Sequence, residues 1–383
     1  QSGSAEGIID NVSVKEYLGK SVVPDSGCGS WLWEPQSTNL ITQSNDFSQW
    51  IDDTDTSITS NAIISPDGTQ NADKLIAGNS VARQAIKFNL TVSGDIVMSV
   101  FAKKGEYSVL QFSDARDPSL YANFDIENGT IGASNIIVSS IQDYGNGWYR
   151  CVGVYNSLND IISFRISITE NSTDGRLINF SGNNSDGLYI WGAMLEQNSF
   201  STSYIPTEGS TVTRNQDLCN NGGSLASINS TEGVLYAEAA YNNSGIASVI
   251  SLTDGTNNNR VMIYWNTNNT IIFFIRVNSS YVAEYTISSS EVNVSSFNKL
   301  AIKYKTNDMS FWLNGTKVAT DTNGAMFNAD TLTKLAFNSG SSGVFYGKTK
   351  AVAVWKEALS DQELADLTYP TPTFPTFTLD FNT

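Results

Sequence analysis

The chain contains no histidine. That removes the commonest general base, the Ser-His-Asp and Cys-His nucleophile systems, and nearly all zinc sites. Charge is scarce as well, at 16% of 383 residues, and it is one-sided: 22 Lys and Arg against 38 Asp and Glu, a net −16. No cluster of Lys or Arg interrupts this, so nucleic acid is excluded as a partner, because phosphate binding needs such clusters. No apolar run reaches membrane-spanning length, and membrane insertion is not expected. Cysteine is sparse: Cys28, Cys151 and Cys219 are far apart, with no CxxC spacing. At most one bridge can form, and the count reads as unpaired thiols in a reducing compartment rather than a disulfide framework. Asn-Xaa-Ser/Thr triplets are numerous, those at Asn89, Asn171 and Asn278 among them, but a chain this rich in Asn and Ser produces them by chance.

What the chain does have is short strand patterns bounded by turn residues. Such spacing predicts an all-β fold, and the length suits two domains that each bury a core. The most informative stretch is 187–214, GLYIWGAMLEQNSFSTSYIPTEGSTVTR. It alternates Leu188, Ile190 and Met194 against Tyr189, Trp191 and Leu195, which predicts a strand covered on both faces. Strands are also expected at 97–103, 107–113, 121–127, 148–155 and 161–169. In the last of these, Ile162, Phe164, Ile166 and Ile168 oppose Ser163, Arg165, Ser167 and Thr169, as in an antiparallel sheet with one polar face. Asn128-Gly129 is expected to form a two-residue type I′ turn, and so is Asn314-Gly315 between 309–314 and 316–320. Further strands are expected at 234–241, 246–252, 260–266, 270–277, 281–287, 299–306 and 347–355. A single helix is expected near the C-terminus, where Ser360-Asp-Gln-Glu363 forms a capping box ahead of Leu364 and Leu367.

The 187–214 stretch resembles the closing strand and exit of a carbohydrate-binding-type jelly-roll module found in bacteriophage tail proteins and in secreted bacterial proteins. NLITQSNDFSQW at 39–50, SPDGTQNADKL at 65–75, FAKKGEYSVLQF at 101–112, ANFDIENGTI at 122–131 and GNGWYR at 145–150 follow in that module's order. SWLWEPQSTNL resembles its beginning. LAIKYKTNDMSFWLNGTKVA followed by GKTKAVAVWKEALSDQELADL resembles concanavalin A-like, laminin-G-like lectin modules. The resemblances imply two antiparallel β-sandwich, jelly-roll domains in tandem. The expected division is the end of a preceding module and a linker at 1–37, a jelly roll at 38–206, a linker at 207–230, a laminin-G-like sandwich at 231–369 and an extended tail at 370–383. GIIDNVSVKEY at 7–17 resembles the last strand of a preceding sandwich, so the chain reads as the C-terminal part of something longer.

Catalysis is not expected. Glucanases of the concanavalin A-like fold carry carboxylates alternating on one strand, because retaining hydrolysis needs an acid and a nucleophile about 5 Å apart. Glu238, in LYAEAAY, has no such partner two or four residues away. Asp52, Asp53 and Asp55 read as a solvated charge run. Sugar binding instead needs aromatic plates with a few placed polar groups. On the strand around 260–266, Arg260 and Tyr264 share the face opposite Val261, Ile263 and Trp265, and become glycan candidates. Trp312 is the best candidate for an exposed ring, because Phe311 and Leu313 take the other face of its hairpin. In the first module Arg165 and Tyr121 are candidates on the polar face, beside Asn123 and Asp125. Trp148, Trp191 and Trp355 are expected in the packing.

Calcium is the one cofactor expected. The resemblance implies a structural Ca²⁺ between the first and last strands or at a rim, and oxygen ligands suit an acidic chain without histidine. Asp46 and Glu196 are the candidate ligands in the first module, Asp254, Asn257 and Asn259 in the second. The resulting reading is a non-enzymatic adhesion or receptor-binding protein, a phage tail fibre or virion appendage. It recognises a bacterial surface glycan, contacts other virion tail proteins and gains avidity as a homotrimer. The alternatives are a secreted or cell-surface bacterial protein whose modules target an appended enzyme to polysaccharide, and a structural virion spacer.

Overall fold

The computed structural model describes residues 30–114, 119–155, 160–242, 245–340 and 343–370. The preceding-module segment expected at 1–29, Cys28 with it, and the tail from 371 lie outside the described residues. The described chain is nearly all antiparallel β-strand, with one α-helix, Asp361–Thr368. It divides into two compact units, 35–216 and a second made of 30–34 with 217–370.

The first unit is a sandwich of two six-stranded sheets. One runs Val138–Asp143, Trp148–Tyr155, Ile96–Lys103, Gly187–Glu196, Gln70–Ala77, Thr56–Ile64. The other runs Thr130–Ser134, Tyr121–Asp125, Val109–Asp114, Asp160–Thr169, Gln84–Val92, Ile51–Asp52. Phe112, Phe124 and Phe164 pack between them edge to face, with centroids 4.9 and 5.2 Å apart. On Asp160–Thr169 the inward set is Phe164, Ile166 and Ile168, as alternation requires.

The closing strand is buried on both faces, but its parity breaks in the middle. The register shifts between Trp191 and Met194, at Gly192 with φ +65°. Leu195 therefore joins Leu188 and Ile190 in the main core, and Met194 joins Trp191 and Tyr204 in a second cluster. That reverses the expected sides of Met194 and Leu195, as a β-bulge does. A Cβ at position 192 would meet the Phe101 ring at 3.0 Å, which makes glycine the fitting residue. The expected two-residue turn at Asn128-Gly129 is also longer: Asp125 pairs with Thr130, residues 126–129 form the connection, and only Gly129 has positive φ.

The second unit has a six-stranded sheet, Trp31–Trp33, Gly347–Trp355, Glu232–Tyr241, Asn298–Lys305, Met309–Leu313, Thr316–Asp321. Facing it is a five-stranded sheet, Ser280–Ile287, Ile271–Val277, Arg260–Trp265, Ser248–Thr253, Lys334–Ala336. Trp265, Tyr304, Phe273 and Phe311 fill the interior, the last two rings stacked 5.5 Å apart. Trp31–Trp33, expected at the beginning of the first module, pairs instead with Gly347–Trp355. Trp33 stacks on Phe337 at 4.3 Å and its Nε1 donates to Thr349 Oγ1 at 2.9 Å, so its ring completes this core. Nor is 207–230 free chain. Val212–Arg214 pairs with Ser37–Asn39 in the first unit, and Cys219 and Ile228 are buried in the core of the second. Cys151 and Cys219 are buried free thiols.

The Asn314-Gly315 hairpin forms as expected, with both residues at positive φ and Leu313 paired with Thr316. The capping box forms too, Ser360 accepting from the Glu363 N–H while the Glu363 carboxylate receives the Ser360 N–H.

Candidate functional site

The outer face of the five-stranded sheet brings two arginines and a set of rings together. Alternation on Arg260–Trp265 sends Val261, Ile263 and Trp265 into the core and leaves Arg260, Met262 and Tyr264 outside, as expected. On the next strand Ile272 and Phe274 share that face, with Arg276 in the same parity. Val249, Met262 and Phe274 make a buried apolar patch, and Tyr264 and Ile272 pack against it half-buried. On the neighbouring strand Ser251 Oγ donates to the Asn338 carbonyl at 2.5 Å and Ser248 Oγ to that of Tyr346 at 3.2 Å.

Arg260 stands at the edge of this patch, its guanidinium 5.2 Å from the Phe274 ring centroid. Its Nη1 donates to Asn257 Oδ1 at 2.6 Å and to the Ser339 carbonyl at 2.8 Å. Its Nε is buried with no partner. Directly across the ladder lies Arg276. Its Nε donates to the Ser279 carbonyl at 3.0 Å, and its guanidinium sits 5.4 Å from the ring of Tyr281, which is 57% exposed. Burial and the charge of Arg276 both push the Arg260 pKa down. Neither guanidinium has a carboxylate partner among the described residues. Glu284, exposed and opposite Phe274, is the acid on the neighbouring strand.

Sequence reasoning found Arg260 and Tyr264 but missed Arg276, Tyr281 and Ser339. Parity alone puts Arg276 outside its strand. What makes it a partner is the register between two strands and a loop more than sixty residues further on, neither of which is written locally.

Trp312 is placed differently from expectation. It does face away from Phe311 and Leu313, but that face is covered: Leu364 of the helix, with Val234, Tyr236 and Ala301, encloses the ring to 4% exposure. Its Nε1 donates to Ser310 Oγ at 2.9 Å. The helix that the capping box starts is the lid over this tryptophan, so Trp312 is packing and not a sugar plate.

In the first unit, Arg165 and Tyr121 do share the outer face of their sheet. Arg165 is 8% exposed, and its Nε donates to Asp53 Oδ2 at 2.6 Å. Lys87 reaches Oδ1 at 2.6 Å and Arg83 Oδ2 at 2.7 Å. Burial pushes the Asp53 carboxyl up, and the hydrogen bonds from Arg165 and Lys87 with the charges of Arg165 and Arg83 outweigh it, leaving the pKa lowered. Asp53 is therefore not part of a solvated acidic run. Tyr121 is half-buried, and its backbone N–H donates to Asn135 Oδ1 at 2.8 Å.

The expected calcium ligands are engaged with one another or with neighbouring protein groups. Asp46 caps a 3₁₀ turn by accepting from the Ser48 N–H at 3.1 Å, in a polar cleft of about 400 Å³ shared with Asp73 and Glu208. Glu196 is buried elsewhere, accepting from Ser37 Oγ at 2.6 Å and Thr202 Oγ1 at 2.5 Å, and burial raises its pKa. Asp254 accepts from Asn259 Nδ2 at 2.8 Å, whereas the Asn257 carbonyl oxygen faces the Arg260 guanidinium, which a calcium ion would displace. Among the described residues no three acidic, cysteine or histidine side chains gather closely enough to hold a metal. Glu238 Oε1 lies 3.7 Å from Lys350 Nζ.

No curated protein matches the chain. Among solved structures, the CBM40 of the Ruminococcus gnavus IT-sialidase, bound to α2,3-sialyllactose, is similar at 19% identity and TM-score 0.31, covering 36% of this chain and 83% of its own. The leech intramolecular trans-sialidase is similar at 23% identity and TM-score 0.31, over 37% of this chain and 24% of its own. Domains LG4-5 of the mouse laminin α1 chain are similar at 10% identity and TM-score 0.27, over 78% and 96%. Residues 235–365, which span the Arg260–Arg276 face and the helix, match the family model of the concanavalin A-like lectin/glucanases superfamily, laminin-G type.

Proposed function

We propose that this chain is a non-enzymatic glycan-binding protein and that its contact surface is the outer face of the five-stranded sheet, taking a sugar with an acidic substituent. The observation that carries the reading is the Arg260–Arg276 pair, two guanidiniums opposed on adjacent strands without a carboxylate between them. In a chain of net charge −16 the overall field repels anions, so an anion site has to be built locally. A guanidinium offers forked donors that match a carboxylate or sulfate. The exposed Tyr281 ring, edge-on to Phe274 with centroids 5.4 Å apart, supplies the apolar plate on which the CH face of a pyranose rests. The lectin-type family match at 235–365 supports the same reading, and the missing histidine and paired carboxylates favour binding over hydrolysis.

The setting we propose is a virion appendage, a tail-fibre protein among other tail proteins, meeting a bacterial surface glycan. A shallow single site binds weakly, and a homotrimer presenting three copies raises avidity by tethering alone. A glycan array on the purified chain tests this. Retention of acidic bacterial glycans, lost in Arg276→Ala, is the expected result. Retention of neutral glycans only, or of the same glycans by the variant, moves the site elsewhere. Release of reducing ends or unsaturated products would make the chain an enzyme.

A further inference from the structure

The two arginines of the proposed glycan face are not equivalent. Arg260 is 7% exposed, and its Nη1 is taken up by Asn257 Oδ1 and the Ser339 carbonyl. Arg276 is half-buried and gives only its Nε to the protein, at 3.0 Å to the Ser279 carbonyl. Among the described residues its two Nη groups have no acceptor. A guanidinium held through Nε keeps its end-on Nη1–Nη2 fork, which matches the two oxygens of a carboxylate.

The turn that holds Arg276 is strained. Val277 pairs with Ser280, so Asn278 and Ser279 form a two-residue connection, with φ +47° and +70°. Asparagine is at ease in that region and glycine is the usual second residue, whereas serine carries a Cβ into it. Such a residue persists where its surroundings over-determine it, and such places cluster at ligand clamps. Here the surroundings are successive asparagines of the preceding loop. Asn259 Oδ1 accepts from the Asn278 N–H at 2.8 Å. Asn258 holds Ser279 twice, its carbonyl accepting from the Ser279 N–H at 2.9 Å and its Oδ1 from Ser279 Oγ at 2.7 Å. The loop is braced in turn by Asp254, which accepts from the Thr256 N–H at 2.7 Å and from Asn259 Nδ2 at 2.8 Å. One loop therefore fixes both guanidiniums, Arg260 directly through Asn257 and Arg276 through the neighbouring turn. Fixing a long side chain beforehand removes the cost of ordering it on binding.

We infer, on the acidic-sugar reading of this face, that Arg276 grips the acid group end-on through its two Nη groups, and that Asn258, Asn259 and Ser279 are positioning residues that aim it. The test is nuclear magnetic resonance of the full chain carrying nitrogen-15 arginine, titrated with methyl glucuronide and, as the neutral control, methyl glucoside. Arg276→Lys identifies the Arg276 resonances by removing them. In the parent the Arg276 Nε–H should be protected from exchange with water, and its resonances should move saturably with the glucuronide alone. Ser279→Gly keeps the positive φ and the carbonyl but removes the Oγ tether to Asn258, and Asn259→Ala releases the other half of the turn. In each variant the Nε–H should exchange about fivefold faster and the glucuronide dissociation constant should rise about fivefold, the contribution of one hydrogen bond. Glycine suits position 279, so the melting temperature of Ser279→Gly should hold or rise while its affinity falls, a pairing that loss of structure does not produce. A glucuronide that moves the Arg260 resonances instead, or that binds both variants as tightly as the parent, overturns the inference and leaves the acidic-sugar reading standing. One that moves neither arginine sinks the acidic-sugar reading itself, and this grip with it.

Discussion

Each unit lays arginines on the outer face of a sheet, and the two faces treat them oppositely. In the first unit Arg165, Lys87 and Arg83 converge on one buried carboxylate. In the second, Arg260 and Arg276 stand opposite each other over Phe274 and Tyr281 with no carboxylate between them, and Tyr281 is largely open to solvent. A guanidinium satisfied inside the fold contributes to stability. One left without its counterion keeps its electrostatic free energy for a ligand. Residue type is the same in both places; what differs is whether the chain supplies the anion itself.

The largest way to break this contrast is to remove the internal anion. Asp53→Asn leaves three cations around a neutral amide, and loss of one partner of a buried ionic cluster costs about 3 kcal/mol. Denaturant unfolding of the first unit should report that loss at neutral pH. The pH dependence carries a sign. The Asp53 carboxyl lies below its ordinary value in the folded state, so its stabilisation is complete above pH 3.8 and is lost as the pH falls through the lowered pKa. The gap between parent and Asp53→Asn should close over that acid window. A gap that persists in acid would mean that the carboxylate is held by packing rather than charge.

Why one arginine was readable and its partner was not has a physical answer. Period-two alternation lives within a strand, so Arg260, Tyr264 and Arg165 could be assigned to a face from sequence alone. The Asn314-Gly315 hairpin and the Ser360 capping box are likewise local, and both form as read. Whatever depends on what lies over a face is not local. Trp312 points away from Phe311 as alternation requires, yet the helix from Asp361 covers it. Trp33 reads as the beginning of the first module and packs in the second, because its strand pairing, with Gly347, spans more than three hundred residues. The bulge at Gly192 flips one step of a period that otherwise holds. Asp53 looks solvated beside Asp52 and Asp55 until Arg83, Lys87 and Arg165 arrive from elsewhere in the chain.

A smaller change makes the second face resemble the first. Tyr281 pairs with Arg276 across the ladder, so Tyr281→Asp installs a carboxylate beside the guanidiniums. Binding of acidic glycan should fall at least about tenfold, roughly 1.4 kcal/mol, through a filled anion site and a lost ring. The position is 57% exposed, so stability should move by less than about 1 kcal/mol. Tyr281→Asn separates the two causes, since it removes the ring and adds no charge: retained binding there assigns the Tyr281→Asp loss to the carboxylate. Undiminished binding by Tyr281→Asp would remove the arginine pair from the site.

The smallest effect discriminates by screening. Exposed charges interact over a Debye length of about 10 Å at 0.1 M salt and about 3 Å at 1 M, whereas buried pairs are screened much less. Glycan binding at half-buried Arg276 beside the exposed Tyr281 should weaken several-fold across that range of sodium chloride, measured by titration calorimetry; Arg260 itself is 7% exposed. The difference in unfolding free energy between the parent and Asp53→Asn should hardly change over the same range, because the Asp53 side chain is 1% exposed. Binding that ignores salt would assign recognition to the Phe274 and Tyr281 rings, and the arginines would then serve only to hold the turns at 257, 279 and 339.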